Sequence, residues 1–229
     1  MRVTAITGLE AEARIARHAG LTAIASGGIA KRTIALAEAC LAEGADALVS
    51  FGIAGALATH LSAGSLLLPR SIVDEGGTRY RVDEAWRARV AATLVAAGMR
   101  AEEGDILGAA EAVASPMRKA ELFHRTRAIA VDLESHLVAR AAAHAGRRFL
   151  VLRAVADPAS RALPPAAVHG IDEKGAPALG RVLAAVLRDP MQVPALVQLA
   201  LDTRKALFAL RSAVKAGSIA NGPMGGAAP

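Results

Sequence analysis

The chain has 229 residues, of which 53% are hydrophobic and 21% charged, and its mean hydropathy is +0.35. This composition excludes an intrinsically disordered protein, and a single cysteine, Cys40, excludes an intrachain disulfide framework and indicates a cytoplasmic protein. The net charge of +6 favours an anionic partner, such as a membrane surface or a phosphorylated ligand. An aromatic content of only 3% and the lack of a recognisable binding motif argue against nucleic acid.

Short apolar runs alternate with helical patterns from the N-terminus onward. No apolar run reaches the ~20 residues that span a bilayer, and acids interrupt the N-terminus too early for a signal peptide. The alternation predicts a three-layer α/β/α sandwich. In chain order the first half predicts strands at 2–7, 21–26 and 46–51, helices at 10–19 and 29–44, a turn-broken strand region at 64–83 and a helix at 84–98. The strand-rich middle indicates a mixed, partly curled sheet.

The second half continues the alternation and then changes character. It predicts strands at 103–113, 128–131 and 148–157, helices at 115–126, 133–146 and 178–188, and a Pro-rich loop at 158–177 that is a candidate lid. An amphipathic helix follows from about Val193 to Lys215, with Leu210 and Val214 on its apolar face and Asp202 on its polar face. We therefore expect a catalytic domain at 1–188, a helical extension at 189–215 and a flexible tail at 216–229.

Glycine-rich segments follow two of the predicted strands, where ligands bind in open α/β sheets. In "SFGIAG", Gly52 and Gly55 lack a Cβ and allow backbone amides to approach a ligand, although a tight strand-to-helix turn is the simpler interpretation. In "ASGG", Ser26 to Gly28 precede Lys31 and Arg32 at a helix start, which is typical of an oxyanion cradle. The alternative is that Ser26 only caps the helix.

Acidic residues end the last two buried strands. In "VDLES", Asp132 fits a helix N-cap, and Glu134 could be a first-turn acid that complements the helix dipole. In "FLVLRAVADP", burial of Asp157 would raise its pKa unless it is paired, and such acids cluster at functional sites. Arg153 lies on the same face of the predicted strand, so a structural ion pair between Arg153 and Asp157 is the main alternative.

Together and in this order, the segments resemble the purine nucleoside phosphorylase and methylthioadenosine/adenosylhomocysteine nucleosidase superfamily over about residues 1–188. The specific pieces are "SFGIAGAL" followed by "AGSLLLPRSIVDEG", and "AVDLES" followed by "FLVLRAVADPA". Within the superfamily the chain is most similar to the hopanoid-associated phosphorylases, which act on adenosylhopane. That similarity lies in "TGLEAEARIAR", "DPASRALPPAA" and "DPMQVPALVQLALDTRKALFAL".

The resemblance implies a role for each candidate residue. Glu134 would bind the ribose hydroxyls and stabilise the oxocarbenium-like transition state, Asp157 would deliver or share a proton with purine N7, and Glu12 would activate water. The remaining positions would line the base and sugar (Ile53, Ala54, Gly55, Val113 and Leu133) or hold the water or phosphate nucleophile (Ser26, Gly27 and Gly28, with Arg14 as a weaker candidate). The chain departs from the family at Ala156, where serine is common, and at Val113, where the nucleosidases have an aromatic residue.

The implied reaction is cleavage of the N-glycosidic bond of a 5′-substituted adenosine, with adenosylhopane as the expected substrate. The alternatives are a methylthioadenosine or adenosylhomocysteine nucleosidase and a non-catalytic nucleoside-binding protein. We expect inorganic phosphate as co-substrate, on the strength of "ASGG" beside Lys31 and Arg32, and no metal or other cofactor. The resemblance also implies a homodimer, since members of the superfamily are commonly at least dimeric. The C-terminal helix is expected either to contact the inner face of the membrane or to pack on the domain.

Overall fold

The computed structural model of the protein describes residues 1–168, 188–217 and 219. Most of the predicted helix at 178–188, the second half of the predicted loop at 158–177 and most of the predicted tail at 216–229 lie outside the described residues. The strands are β1 (Val3–Thr7), β2 (Thr22–Ala25), β3 (Ala47–Ala56), β4 (Leu66–Leu67), β5 (Ser71–Asp74), β6 (Arg79–Arg81), β7 (Ala101–Glu102), β8 (Ile106–Gly108), β9 (Ala130–Asp132) and β10 (Arg148–Asp157). The helices are α1 (Glu10–His18), α2 (Ala30–Ala42), α3 (Glu84–Ala96), α4 (Pro116–Thr126), α5 (Ser135–His144), α6 (Pro165–Val168) and α7 (Val193–Lys215), and a 3₁₀ turn, Pro190–Gln192, precedes α7.

The strands form one mixed sheet centred on β3. The strands β2, β1, β3 and β10 run parallel in that order. Beyond β10 the sheet continues through antiparallel β4 to β7, and the end of β3 pairs antiparallel with β9, which leads to β8, β5 and β6. The sheet branches at β3, and its described strands do not close into a barrel. This architecture confirms the predicted α/β class with its mixed sheet.

Helices cover both faces of the sheet because β3 alternates its side chains between two cores. Ala47, Val49 and Phe51 pack in a cluster with residues of α1, α3 and α7, whereas Leu48 packs in a second cluster with residues of α2 and α5. A smaller third cluster lies around Leu107 of β8. The layers are therefore helix, sheet and helix, as the sequence predicts.

Two predicted strand boundaries are wrong. The third strand does not end at Phe51, because β3 continues to Ala56 through pairing with β10 on one side and β9 on the other. The glycines of "SFGIAG" therefore lie within a strand and do not form a strand-to-helix turn. The strand predicted at 103–113 is confined to β8, and the chain from Ala109 to Ser115 is a loop that leads into α4.

Helix α7 has the predicted bounds and packs on the sheet. Ala206, Leu210 and Val214 are buried against the cluster that includes β3 and β10. Asp202 was expected on the polar face, but it is buried and forms ion pairs with Arg161 and Lys205. Among the described residues, no helix is both long and apolar enough to cross a membrane.

Candidate active site

The candidate residues converge at one edge of the sheet, where β1, β2, β3, β9 and β10 end. The loop after β1 comes so close to the loop after β9 that a Cβ at Gly8 would lie 2.7 Å from Oε1 of Glu134. The same carboxylate oxygen lies 3.7 Å from the position of a Cβ at Gly28. A side chain at position 8 would therefore displace this carboxylate oxygen. Segments that are far apart in the chain thus surround Glu134.

Glu12 is buried on the first turn of α1 and is held by two backbone amides. Leu9 N donates to Oε2 and Ile53 N donates to Oε1, each at 2.8 Å. Only glycine fits at position 52, because a Cβ there would lie 2.6 Å from this carboxyl group. Burial raises the pKa of Glu12 to about 7, Arg153 opposes the rise and the neighbouring Glu134 adds to it. Glu12 can therefore gain or lose a proton near neutral pH.

The guanidinium of Arg153 links the acids of the β9–α5 segment. Its Nε lies 2.7 Å from Asp132 Oδ2, and its Nη2 lies 3.1 Å from Glu134 Oε2 and donates to Ser50 Oγ at 2.7 Å. Asp132 also accepts from the backbone N–H of Ser135 at 3.0 Å, so its expected capping role is partly present. Burial raises the pKa of Glu134, while Arg153 opposes that rise.

The alternative role for Glu134, a first-turn acid at the helix dipole, does not describe this geometry. Glu134 is the N-cap of α5 and makes no side-chain capping hydrogen bond. Its carboxylate is oriented by Arg153 on one oxygen and faces Gly8 and Gly28 with the other. That second oxygen is placed to accept hydrogen bonds from a ligand at the sheet edge.

The alternative interpretation of Asp157, an ion pair with Arg153, is wrong. A β-bulge shifts the register of β10 between Val155 and Asp157, so that Asp157 lies opposite Gly55 of β3. The bulge breaks the alternation that would put Arg153 and Asp157 on one face of the strand. Arg153 pairs with Asp132 and Glu134, while Asp157 pairs with Lys119 of α4.

Lys119 is fully buried and holds the end of β10, where Asp157 lies, together with the loop that follows it. Its ammonium group donates to Asp157 Oδ2 at 2.5 Å, to Pro158 O at 3.0 Å and to Arg161 O at 2.9 Å. The other carboxylate oxygen, Oδ1, is buried and has no hydrogen-bond partner among the described residues. Burial raises the pKa of Asp157, and Lys119 partly offsets this rise. One oxygen of Asp157 is thus fixed by the protein and the other is left for a ligand.

The residues expected to line the base and sugar lie around these acids. A Cβ at Gly55 would be 3.4 Å from Asp157 Oδ2, and the Ile53 carbonyl accepts from Arg153 at 3.2 Å. Ala54 is buried in the cluster with α2 and α5. Val113 and Leu133 are partly buried and both pack against the third cluster. Their contacts with a ligand stay predictions.

The segment expected to hold the nucleophile, Ser26 to Gly28, contains a buried polar side chain. Ser26 N donates to Thr7 O at 2.8 Å, and the Ser26 hydroxyl is buried without a partner among the described residues. The N-cap of α2 is Ile29, so Ser26 does not cap that helix. Gly27 N donates to Gly8 O at 2.9 Å, which brings the cradle beside the Glu134 oxygen. Arg14 lies on the exposed side of α1 in a groove against α7, and its predicted contact with phosphate is not supported by this placement.

Sequence reasoning missed Lys119 and the polar support around Arg153. Lys119 lies three residues before Leu122, on the apolar face of α4, and a lysine on such a face is a usable signal of a buried partner. The hydroxyls of Ser50 and Ser135 are 3.0 Å apart and both bond to Arg153. Nothing in the local sequence around either serine indicates this contact.

We expect Lys119→Met to destabilise the protein by roughly 3–5 kcal/mol, because it leaves a buried carboxylate and two carbonyls without their donor. Removal of the ammonium charge should also raise the pKa of Asp157 further. Denaturant unfolding measures the first effect, and the pH dependence of activity measures the second. The exposed neighbour Arg118→Met is the control, and equal stability of the two variants would contradict the structural role of Lys119.

The mixed sheet and the buried acids where its strands end are accompanied by a family match, which places the chain among the nucleoside phosphorylases and nucleosidases. The chain belongs to the phosphorylase superfamily, whose family model matches residues 13–188. No curated protein sequence matches the chain. The family assignment thus rests on more than three quarters of the chain.

Solved structures with this fold include nucleosidases that bind adenosine analogues. The 5′-methylthioadenosine/S-adenosylhomocysteine nucleosidase of Neisseria meningitidis in complex with methylthio-immucillin-A is 17% identical, with a TM-score of 0.73 and coverage of 96% of this chain and 99% of that chain. The corresponding enzyme of Helicobacter pylori with butyl-thio-DADMe-immucillin-A is 18% identical, with a TM-score of 0.67 and coverage of 94% and 98%. The futalosine hydrolase of Helicobacter pylori is 17% identical, with a TM-score of 0.66 and coverage of 94% and 97%. At these identities the likeness establishes the fold.

Proposed function

We propose that the protein cleaves the N-glycosidic bond of a 5′-substituted adenosine and releases adenine. The observation that carries this proposal is the carboxylate of Asp157, which has one oxygen fixed by Lys119 and the other buried without a partner in the described part of the chain. A purine placed against the free oxygen would present N7 to it. Since adenine leaves readily only when N7 is protonated, an acid with a raised pKa suits this position.

Glu134 would stabilise the positive charge that develops on the sugar. Bond cleavage develops positive charge on the ribose, and a nearby carboxylate stabilises that charge most where water is excluded. Arg153 orients Glu134 through one oxygen and leaves the other facing the loops after β1 and β2. The two carboxylates would thus have different roles because their surroundings differ: Asp157 would protonate the leaving group and Glu134 would stabilise the sugar.

We propose water as the nucleophile and Glu12 as the base that activates it. The raised pKa of Glu12 suits a general base near neutral pH. The cations expected to hold phosphate are not gathered beside Glu12, since Lys31 is exposed on α2 and Arg14 lies in the groove between α1 and α7. Inorganic phosphate, expected from the sequence, stays the alternative nucleophile.

For the 5′ substituent we propose adenosylhopane, on the resemblance of the chain to the hopanoid-associated phosphorylases. The second candidate is methylthioadenosine or adenosylhomocysteine, which is favoured by the likeness to the Neisseria meningitidis and Helicobacter pylori nucleosidases. Both candidates share the adenosine that the site would recognise. The test is adenine release from adenosylhopane and from methylthioadenosine by the same preparation, each measured over a range of concentrations.

We expect the rate of adenine release to be unchanged when phosphate is removed from the buffer, because the proposed nucleophile is water. The sugar product should then be the free ribosyl compound, identified by mass spectrometry in both buffers. An exposed-lysine variant, Lys31→Ala, is the matched control and should behave as the wild type does. A rate that rises with phosphate concentration and yields a ribosyl 1-phosphate would show that phosphate is the nucleophile.

A further inference from the structure

Helix α7 carries a second apolar face that the fold does not use. Its buried face packs on the sheet, whereas Val197, Leu201 and Phe208 are 54%, 48% and 69% exposed. At 100° per residue these three side chains and the exposed Val193 fall within an arc of about 80°, roughly opposite the buried face. The helix is thus anchored by one side and presents apolar side chains on the other.

The same arc carries cations and no acid. Arg204, Arg211 and Lys215 lie on it, all exposed, and none of them forms an ion pair with a residue that the structure describes. We define the outer face of α7 as these three cations together with Val193, Val197, Leu201 and Phe208. Asp202, the helix's acid, is buried on the opposite side.

A cationic groove continues the outer face. Between α1 and the end of α7 lies an open groove of about 790 Å³, whose lining includes Arg14, His18, Arg211 and Lys215 around Ile15 and Val214. Glu10, the acid nearest to Arg14 on α1, is paired with Arg17 at 2.7 Å. The groove therefore keeps a positive charge beside the apolar stripe.

We infer that the outer face of α7 docks the protein on an anionic lipid bilayer. Apolar side chains with cations along one exposed helix face are the pattern of interfacial helices, in which the apolar groups enter the headgroup region and the cations bind lipid phosphates. A second copy of the chain is a poor occupant, because a two-fold contact would bring the same three cations against one another. The net charge of +6 acts in the same direction as the local cations.

This inference does not require the proposed substrate, since lipid binding is measured without turnover. The probe is sedimentation of the full-length protein with vesicles of phosphatidylcholine alone and of phosphatidylcholine mixed with phosphatidylglycerol. We expect binding to the mixed vesicles only, with weakening as salt increases. Arg204→Glu with Arg211→Glu should weaken binding by at least about tenfold, and Phe208→Ser should also weaken it.

A matched control reverses two exposed charges elsewhere, Arg125→Glu with Arg147→Glu, and should bind as the wild type does. All the substituted side chains are exposed, and circular dichroism checks that each variant is folded. Three results would overturn the inference: no binding to anionic vesicles, equal loss of binding in the α7 variant and the control, or a wild-type dimer that Phe208→Ser dissociates. The last result would make the outer face an interface between copies.

Discussion

Asp157→Asn is expected to lower kcat by about 10²–10⁴-fold with little change in KM, the usual contribution of a general acid. Asparagine can still accept a hydrogen bond from Lys119 and donate one to a base, but it cannot transfer a proton. The loss should therefore be specific to the transition state. Steady-state kinetics of adenine release measure it, and the loss should shrink for nucleosides whose base leaves without protonation.

Asp46→Asn is the matched control for this variant. Asp46 precedes β3 at the opposite end of the sheet, where it accepts from the backbone of Arg2 at 2.7 Å. It should leave kcat unchanged. A folded Asp157→Asn protein with near wild-type adenine release would remove the observation on which the proposed function depends.

Glu12→Gln is expected to lower kcat by a similar factor, about 10²–10⁴-fold, because the amide cannot take a proton from water. The wild-type rate should rise with pH through about 7, where Glu12 loses its proton. The variant should lack this rise. Glu10→Gln, on the outer side of the same helix turn, is the control and should keep the wild-type profile.

The same variant gives a test on stability with a defined sign. Between about pH 4.5 and pH 7 the unfolded chain has released the Glu12 proton and the folded protein still holds it. The wild-type free energy of unfolding therefore falls as the pH rises through this window, by about 3 kcal/mol for a shift of this size. Glu12→Gln has no proton to release, so its stability relative to the wild type should increase over that window. Parallel stability curves would contradict the raised pKa.

Regular patterns in the sequence predicted the elements that depend on local periodicity. The bounds of β10 and α7 are those expected, because each carries an uninterrupted apolar pattern of its own period. The predicted end of the third strand, at Phe51, is wrong for a physical reason. A G-x-x-G segment usually marks a turn, but here both glycines lie in a continuous strand and Gly52 leaves room for the carboxyl group of Glu12.

The sequence predicted which acids lie at the candidate site but not which cation each of them pairs with. Asp157 and Lys119 are 38 residues apart, and nothing in either segment indicates the other. Strict alternation along β10 suggested Arg153 as the partner of Asp157, and one β-bulge changes that pairing. Ion pairs between distant residues depend on the tertiary structure, which cannot be deduced from the pattern of a single sequence.

The ion pair between the buried Asp202 and the partly exposed Arg161 connects α7 to the loop that follows Asp157. The backbone carbonyl of Arg161 accepts from Lys119, which holds Asp157, and the side chain of Arg161 reaches Asp202 of α7. The helix and the loop that follows Asp157 are thus linked by continuous contacts, and we expect them to open as one cooperative unit. A ligand that orders the loop should slow amide exchange in the middle of α7. A chain truncated before α7 would lack the contact between Asp202 and Arg161, and we expect Asp157 to be held less firmly in it. Helix α7 therefore helps to keep Asp157 in position.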